Sequence, residues 1–450
     1  MEMISSAAML KLPLKYIYKG ESMIKITGTK LNFEREPLLA PFGFKGGYLS
    51  ELWQIVASLV SEKHEAVGLG LQSVLWSDSE IFAGNPESVG NSMMFLMTAY
   101  ALKKAQGLSF ETPMELLQEL VPQVEEYGKK ITGHKDLRPT FTLNSLVAVD
   151  NAAWLLYSRE QGLDNFDQLI PEDCKAALSQ RHKALANIPL MSYGVPISEI
   201  VKAVEDGFFF LKIKIGSDPE KDGDQEKMLK WDCARLKEIH EAVRDFHTPY
   251  TQSGNVLYYL DANGRYQSKE ILMRFLDYAE KIGALPRIVI LEEPFPEEFV
   301  FDVSDIPVRL AADESIHSVE DAILRIQLGY GAFALKPIAK TMSLSLEIAK
   351  VARRENIPCF CADLTVNPIM VEWNKNVAAR LAPLPGLKIG VVESNGHQNY
   401  LHWEKMKSYH PCHGAGWDEP KDGIYHLDDD FYVKSGGIFL PSEHYNSLLK

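Results

Sequence analysis

The strongest constraint on the fold is a repeating order of elements in the second half of the chain. Between residues 188 and 394, short apolar runs alternate with polar turns and amphipathic stretches. The eight runs are IPLMSYGV (188–195), FFLKIKIG (209–216), VLYYLDANG (256–264), RIVILEEP (287–294), VRLAADES (308–315), FALKP (333–337), PCFCAD (358–363) and LKIGVVES (387–394). Strands that alternate with helices predict a parallel sheet with crossover connections.

Amphipathic segments lie between most of these runs. Their apolar residues recur every three or four positions, as in 224–246 and 268–282, which is typical of helices. The link 295–306 has the weakest helical pattern. Eight such units in about 205 residues favour a closed (β/α)8 barrel of the TIM type. The alternative, an open doubly wound sheet, would carry a glycine-rich phosphate turn after its first strand, and SYGVPISE has none.

The rest of the chain does not follow this order. Before the barrel, two strand-like stretches, MIKITGTKLNF and EAVGLGLQSVLW, accompany helical patterns that include 50–62 and 146–161. After it comes a segment rich in His, Gly, Tyr and Asp without clear periodicity, which we expect to cover other parts of the protein. We therefore predict an α+β domain over 1–187, a barrel over 188–394 and a C-terminal segment over 395–450.

Composition narrows the class of protein. Hydrophobic residues make up 46% and charged residues 24% of the 450 residues, ordinary values for a globular protein. The formal charge of −14 argues against a nucleic-acid binder, which usually has a basic face. No run approaches the ~18 apolar residues of a membrane span, and the N-terminus lacks the apolar stretch of a signal peptide. We expect a soluble, cytoplasmic protein.

Charged residues stand at the ends of five consecutive apolar runs. In chain order they are Lys212 and Lys214, Asp261, Glu292 and Glu293, Asp313 and Glu314, and Lys336. Chemistry in a barrel belongs at the carboxyl ends of the strands, so we expect these side chains to meet in one cavity.

Three of these strand ends supply acids from adjacent strands. Asp261, Glu292 and Asp313 would repel one another strongly unless a cation lay between them. Oxygen ligands select a hard ion, and three carboxylates leave octahedral positions open for water and substrate, which suits Mg²⁺; Mn²⁺ is also chemically compatible. Each acid alone could equally be an ordinary strand-end carboxylate.

Lys212 and Lys214 lie on the same side of their strand, because side chains alternate with a period of two. If that side faces the barrel, repulsion and desolvation should lower the pKa of at least one ammonium toward neutrality. A neutral amine near pH 7 is what a general base requires. The alternative is a strand whose lysines face solvent.

The ordered motifs LKIKIG, LDANG, LEEP, AADES and ALKP resemble the enolase superfamily, in its mandelate racemase/muconate-lactonizing enzyme branch. A lysine pair on strand two with Lys336 on strand six is similar to one subgroup of that branch. The resemblance implies a (β/α)8 or modified (β/α)7β barrel under an N-terminal α+β capping domain. It also implies a homo-oligomer acting on a small-molecule carboxylate.

The reaction that the resemblance implies is Mg²⁺-dependent abstraction of the α-proton of a carboxylate through an enolate, with racemisation or epimerisation favoured. A dehydratase or a cycloisomerase of the same family is the alternative. A barrel that binds a metal or small molecule without turnover is the hypothesis from another class.

Family roles carry over position by position. Asp261, Glu292 and Asp313 match the metal ligands; Lys214 matches the acid/base residue and Lys336 a second one on the opposite face. Lys212 matches the neighbour that lowers the pKa of Lys214 and holds the substrate carboxylate. The residues expected close behind them, near the metal or substrate, are Asn263, Glu293, Glu314, Asp363 and Glu393.

Several features depart from the family pattern. The chain reads KPIAKTMSL after strand six, without the Lys-x-Gly-Gly turn of many members. Strands seven and eight end in Asp363 and Glu393, without the strand-eight DxD of dipeptide epimerases. Asp363 also lacks the histidine partner that acid-sugar dehydratases use. The strand ends therefore favour neither a dipeptide nor an acid sugar as the substrate.

The segment 37–50 lies where the mobile loop of the family would be. Its glycines permit closure, and Phe42, Phe44 and Tyr48 could shield a substrate from water; plain turn packing is the alternative. LWSDSEIFAGN (75–85) is a second candidate. The histidines of HPCHGAGW (410–417) have no standard zinc spacing, so we assign no metal to them.

Overall fold

The structure, a computed structural model, describes residues 23–44 and 47–450. The first 22 residues, on which the expectation of no signal peptide rests, lie outside the described residues. None of the helices in the described ranges combines the length and apolar character that a membrane-spanning helix needs.

The N-terminal part is built on a three-stranded antiparallel sheet in the order β2–β3–β4, with a smaller sheet of β1 and β5 beside it. Its elements are β1 (Ile24–Lys25), β2 (Gly28–Phe44), β3 (Gly47–Val60), β4 (Glu65–Gln72), α1 (Val74–Ser77), α2 (Ser79–Gly84), α3 (Glu87–Ala105), β5 (Ser109–Phe110), α4 (Pro113–Thr132), α5 (Pro139–Gln161) and α6 (Phe166–Leu169). This confirms the expected α+β capping domain.

The predicted helix over 50–62 was wrong, because residues 50–60 belong to strand β3. β3 is the central strand and pairs with β2 on one side and β4 on the other. Its apolar residues are buried in an almost continuous run from Leu52 to Leu59. Periodicity alone cannot distinguish a buried strand of this kind from a buried helix. Only the strands that pair with the segment decide its secondary structure.

Glycines on β4 let helix α5 approach the sheet closely. A Cβ atom on Gly68 would lie 2.2 Å from both Ala148 O and Ala152 N. A Cβ on Gly70 would lie 2.8 Å from Ala148 N. The backbone of α5 therefore packs directly on the backbone of β4, without intervening side chains.

The second part of the chain alternates strands and helices, which confirms the predicted barrel class. Its elements are β6 (Ala184–Ile188), β7 (Leu190–Met191), α7 (Ile197–Glu205), β8 (Phe210–Lys214), α8 (Gln225–Val243), β9 (Leu257–Asp261), α9 (Lys269–Lys281), β10 (Ile288–Glu292), β11 (Leu310–Ala312), α10 (Val319–Gln327), β12 (Ala332–Leu335), α11 (Met342–Arg354), β13 (Cys359–Cys361), α12 (Pro368–Ala378) and β14 (Gly390–Glu393).

The strands close into a ring through the first strand, which is interrupted at Pro189. Its first half, β6, pairs in parallel with β14, and its second half, β7, pairs with β8. This strand begins at Ala184, four residues before the apolar run at 188–195. It also ends earlier than that run, at Met191, and residues 192–195 form a turn. The link between β10 and β11 contains no helix in the described residues, as its weak pattern predicted.

The C-terminal segment packs on the outside of the barrel. It contains α13 (Gly396–Asn399), α14 (Trp403–Lys407), β15 (Ile424–His426), α15 (Asp429–Lys434) and α16 (Glu443–Ser447). β15 pairs antiparallel with β6 and so adds a strand to the sheet. These short elements follow the eighth barrel strand in place of one long outer helix.

The close approach of α5 to β4 predicts that Gly68→Ala destabilises the protein. The added methyl group would push the helix backbone away, and overpacking of this kind costs about 2–3 kcal/mol. Urea unfolding followed by circular dichroism measures the change. Gly28→Ala is the matched control, because its Cβ would meet only Val60 at 3.6 Å. Equal unfolding free energies for the two variants would contradict the prediction.

Candidate active site

The carboxyl ends of the barrel strands bring the predicted charged residues together. In the parallel pairs, Lys214 lies opposite Asp261, and Asp261 lies opposite Glu292. Asp313 and Lys336 directly follow β11 and β12. Together with Lys212, these residues are buried, none of them more than 7% exposed.

The two lysines of β8 enter the same cavity. Nζ of Lys214 donates to Asp261 Oδ2 at 2.6 Å and to Asn263 Oδ1 at 2.5 Å. Nζ of Lys212 lies 3.0 Å from the same Asp261 oxygen and 3.1 Å from Glu292 Oε2. It also lies 3.0 Å from Glu393 Oε2. One ammonium group thus contacts carboxylates from three strands.

The charge of Lys212 is stabilised and not weakened, so Lys212 is not the member of this pair with a depressed pKa. Burial lowers the pKa of Lys212, but the carboxylates of Asp261, Glu292 and Glu393 raise it well above its ordinary range. Lys336 behaves in the same way, since Asp313 and Glu292 raise its pKa against the effect of burial. A neighbouring lysine alone predicts a lowered pKa, and the acids around Lys212 and Lys336 reverse that effect.

Three carboxylates form a tight buried cluster. Glu292, Asp313 and Glu314 each place an oxygen within 4.8 Å of the others. Burial raises the pKa of Glu292 to about 8. Its Oε1 accepts no hydrogen bond from the described residues. Buried acids grouped at this spacing fit the oxygen ligand set of a hard divalent cation.

Asp261 lies beside this cluster and is engaged by lysines. Its Oδ2 and Glu292 Oε2 both contact Lys212, so the two oxygens are at most about 6 Å apart, roughly three Mg–O bond lengths. Burial alone would raise the pKa of Asp261, but Lys212 and Lys214 lower it.

Asp313 is held by two lysines, one of which the sequence did not single out. Nζ of Lys336 lies 2.5 Å from Asp313 Oδ2. Nζ of the buried Lys340 donates to Asp313 O at 2.6 Å, to Oδ1 at 3.2 Å and to Ile316 O at 3.3 Å. A lysine inside the apolar stretch PIAKTM, four residues after Lys336, was the available signal.

Glu293 and Asn263 connect the strand ends behind the cluster, and Asn263 contacts the cluster at Glu314. Glu293 Oε2 accepts from the backbone N–H of Asp313 at 2.7 Å and from Ser315 Oγ at 3.0 Å. Asn263 Nδ2 donates to Glu314 Oε1 at 3.1 Å. Burial and Glu314 raise the pKa of Glu293 to about 8.

Asp363 and Glu393 meet at the ends of strands seven and eight. Glu393 Oε2 accepts from the backbone N–H of Asp363 at 3.0 Å, in addition to its contact with Lys212. Asp363 Oδ2 accepts from Asn395 N at 2.8 Å. Asp363 therefore fixes the turn after strand eight, and burial with Glu393 raises its pKa to about 6.

The cavity above these residues is small, 40 Å³, and its upper wall is apolar. The capping domain supplies Leu49, Leu52 and Trp76 to its lining, and the barrel supplies Leu190 and Leu364. Nζ of Lys336 lies 4.5 Å from the centre of the Trp76 ring.

The candidate lid 37–50 forms a hairpin of β2 and β3. The backbones of Phe42 and Leu49 pair, as do those of Phe44 and Gly47; the side chains of Phe42 and Phe44 lie outside the described residues. Tyr48 is 59% exposed and its ring lies 5.6 Å from Lys221 Nζ. Among the described side chains of this segment, the one that lines the cavity is that of Leu49, and closure of the segment stays a prediction.

A buried aspartate fixes the loop after the lysine pair. Asp232 of α8 accepts from the backbone N–H of Gly216 at 2.8 Å and from Tyr266 Oη at 2.7 Å. Gly216 follows Lys214 by two residues, so Asp232 sets where β8 ends. Burial raises the pKa of Asp232 to about 7.

Comparison with known proteins agrees with this geometry. Residues 197–429 match the model of the family described as enolase C-terminal domain-like. A mandelate racemase/muconate lactonizing protein from Herpetosiphon aurantiacus superposes with a TM-score of 0.61 at 15% identity, covering 90% of this chain and 96% of that one. No curated protein sequence matches.

Two similar structures have named activities. A dipeptide epimerase from Cytophaga hutchinsonii, complexed with Mg and a dipeptide, has a TM-score of 0.60 at 18% identity, covering 84% of this chain and 89% of that one. An N-succinyl Arg/Lys racemase from Bacillus cereus has a TM-score of 0.59 at 17% identity with the same coverage. These identities show a shared fold; the lysine-pair subgroup stays a prediction.

The raised pKa of Asp232 predicts a specific pH dependence of stability. An unfolded aspartate titrates near pH 3.9, so the unfolded chain loses this proton first, and stability falls as pH rises from about 4 to 7. Between pH 4 and 7, the free energy of unfolding of the wild type should fall by up to about 4 kcal/mol relative to that of Asp232→Asn. Urea unfolding at each pH measures it.

The matched control for this prediction is Asp277→Asn, on the exposed face of α9. Its stability difference from the wild type should not change with pH. A wild-type minus Asp232→Asn difference that is equally flat would contradict the prediction.

Proposed function

Because this chain belongs to the enolase C-terminal domain-like family, we propose that it abstracts the α-proton of a small-molecule carboxylate through an enolate intermediate in a Mg²⁺-dependent reaction. Racemisation or epimerisation is the favoured outcome. The named activities of the dipeptide epimerase and the N-succinyl Arg/Lys racemase support this choice.

The placement of the lysines carries the proposal. Lys214 ends the second barrel strand, β8, and Lys336 follows the sixth, β12. In a ring of eight strands, the second and the sixth lie on opposite sides. A substrate bound between them presents one face to each amine, so one lysine removes the α-proton and the other returns a proton to the opposite face.

The proposed metal ligands are Asp261, Glu292 and Asp313, from the three strands between the lysines. Glu314 is the alternative third ligand, because it lies in the tight cluster with Glu292 and Asp313. When bound, Mg²⁺ would supply Lewis-acid stabilisation for the negative charge that develops on the substrate carboxylate.

The remaining residues of the cavity orient the substrate. Lys212 would hold the substrate carboxylate and stabilise its developing charge, as a fixed ammonium in a dry site does. The apolar wall of Leu49, Leu52 and Trp76 would exclude water from the reacting carbon. Glu393 already contacts Lys212, so the carboxylate of the substrate has to share or replace that contact.

Proton exchange tests the reaction. With Mg²⁺ in D₂O, we expect the α-proton signal of an accepted carboxylate from a library of α-substituted acids to disappear in NMR spectra. Lys214→Ala and Lys336→Ala should each slow exchange for one enantiomer by about 10²–10⁴-fold, the usual contribution of a general acid or base. EDTA should abolish exchange.

Lys237→Ala is the control for this experiment, since Lys237 is half-exposed on α8 and should leave exchange unchanged. Absence of exchange across the whole library would favour a barrel that binds a ligand without turnover. Equal loss for both enantiomers in each lysine variant would contradict the two-base arrangement.

Calorimetric titration with Mg²⁺ tests the ligand set independently of turnover. Glu292→Gln should weaken binding at least about tenfold, in the range of a lost ligand contact. Comparison of Asp261→Asn with Glu314→Gln identifies the third ligand as the variant with the larger loss. A wild-type protein that does not bind Mg²⁺ would overturn the metal assignment.

A further inference from the structure

A second cavity, of 640 Å³, lies outside the barrel between α12 and the C-terminal segment. Its volume is within the range of small-molecule sites. It lies where the short helices α13 and α14 follow β14 in place of a long outer helix. The His-rich sequence at 410–417, to which the proposed reaction gives no role, forms part of its lining.

The buried wall of this cavity contains an unsatisfied donor. His410 has a side chain only 3% exposed, and its Nδ1 accepts from the backbone N–H of Cys412 at 3.0 Å. The ring proton is therefore on Nε2, which has no hydrogen-bond partner among the described residues. Burial lowers the pKa of His410 to about 3, so the ring is neutral.

Glu372 lies beside His410 on the same wall. Its Oε1 is 3.8 Å from His410 Nε2, too far for a hydrogen bond, and 2.6 Å from Lys375 Nζ. The Glu372–Lys375 pair is completely buried, and Lys375 also donates to Trp417 O at 2.7 Å. The wall is therefore rigid and leaves the His410 N–H in need of an acceptor.

The mouth of the cavity combines negative charge with aromatic rings. Among the described residues that line the cavity, four carboxylates besides the buried Glu372 stand with one lysine, Lys407. Two of the four have partners of their own, since Asp206 pairs with Lys202 and Asp418 lies 3.4 Å from His413. Lys407 already contacts both Glu404 and Glu419. Trp403 also lines the cavity, and its ring stacks on the ring of the buried Tyr400 with an interplanar angle of 12°. Aromatic faces and excess carboxylates both attract cations.

A transition-metal ion does not explain this arrangement. In the described ranges, one group of at least three acid, histidine or cysteine side chains has ligand atoms close enough to share an ion. That group, at the barrel mouth, consists of Glu292, Asp313 and Glu314. The histidines at 397, 410 and 413 line the cavity without forming such a group.

We propose that this outer cavity binds a small organic cation, an ammonium or guanidinium compound with an apolar body and a hydrogen-bond acceptor. The cation lies among the carboxylates and against the Trp403 ring, and the acceptor receives the N–H of His410. This site is separate from the barrel mouth and does not depend on the proposed reaction.

Calorimetry with matched probes tests the site. Tyramine and N-acetylagmatine supply an ammonium and a guanidinium, each with an oxygen acceptor, while 4-hydroxyphenylacetamide and 4-hydroxyphenylacetate keep the tyramine ring with neutral and negative groups. We expect at least one cation to bind with a Kd of about 1 mM or tighter, and the two uncharged or anionic analogues to bind at least about tenfold more weakly.

Variants at the mouth locate the binding. Trp403→Leu and Glu419→Gln should each weaken binding of the cation about fivefold or more, and both keep the buried wall intact. Glu443→Gln, on the exposed side of α16, is the control and should not change the Kd. Absence of binding by both cations, equal binding of the neutral analogue, or unchanged affinity in both mouth variants would overturn the proposal.

Discussion

The candidate active site depends on the mutual compensation of buried charges at the barrel mouth. One ammonium group, that of Lys212, contacts carboxylates from β9, β10 and β14, and so ties three strands across the ring. Removal of one partner from such a group leaves an uncompensated buried charge, which costs about 3–5 kcal/mol. The pairing of lysines with acids around the ring therefore contributes to stability as well as to chemistry.

A second set of buried acids holds the loops that follow the strands. Asp232, Glu293 and Asp363 each accept backbone N–H groups from the segment after a barrel strand. Burial raises the pKa of all three. These carboxylates stabilise the positions of Lys214, Asp313 and the turn after strand eight, and of the three Asp363 also lines the cavity. The positions of the lysines and acids thus depend on hydrogen bonds between these three carboxylates and the backbone of the loops.

Much of the fold and most of the candidate residues could be predicted, because parallel strands place their carboxyl ends at one edge. Lys212, Lys214, Asp261, Glu292, Asp313 and Lys336 were found by that rule. Lys340 was missed because it lies in a turn, where no periodicity marks its direction. The helix expected at 50–62 failed because a central strand buried on both faces has the same apolar content as a buried helix.

The sequence by itself determined the order of strands and helices and the charged residue at each strand end, since both follow from local periodicity. The tertiary structure alone decided how those charges pair. It showed that acids outweigh burial around Lys212 and Lys336, that Asp261 is engaged by lysines while Glu314 joins Glu292 and Asp313, and that the C-terminal segment leaves an outer cavity. Each of these depends on distances between residues far apart in the chain, and electrostatic energy is set by such distances and by burial.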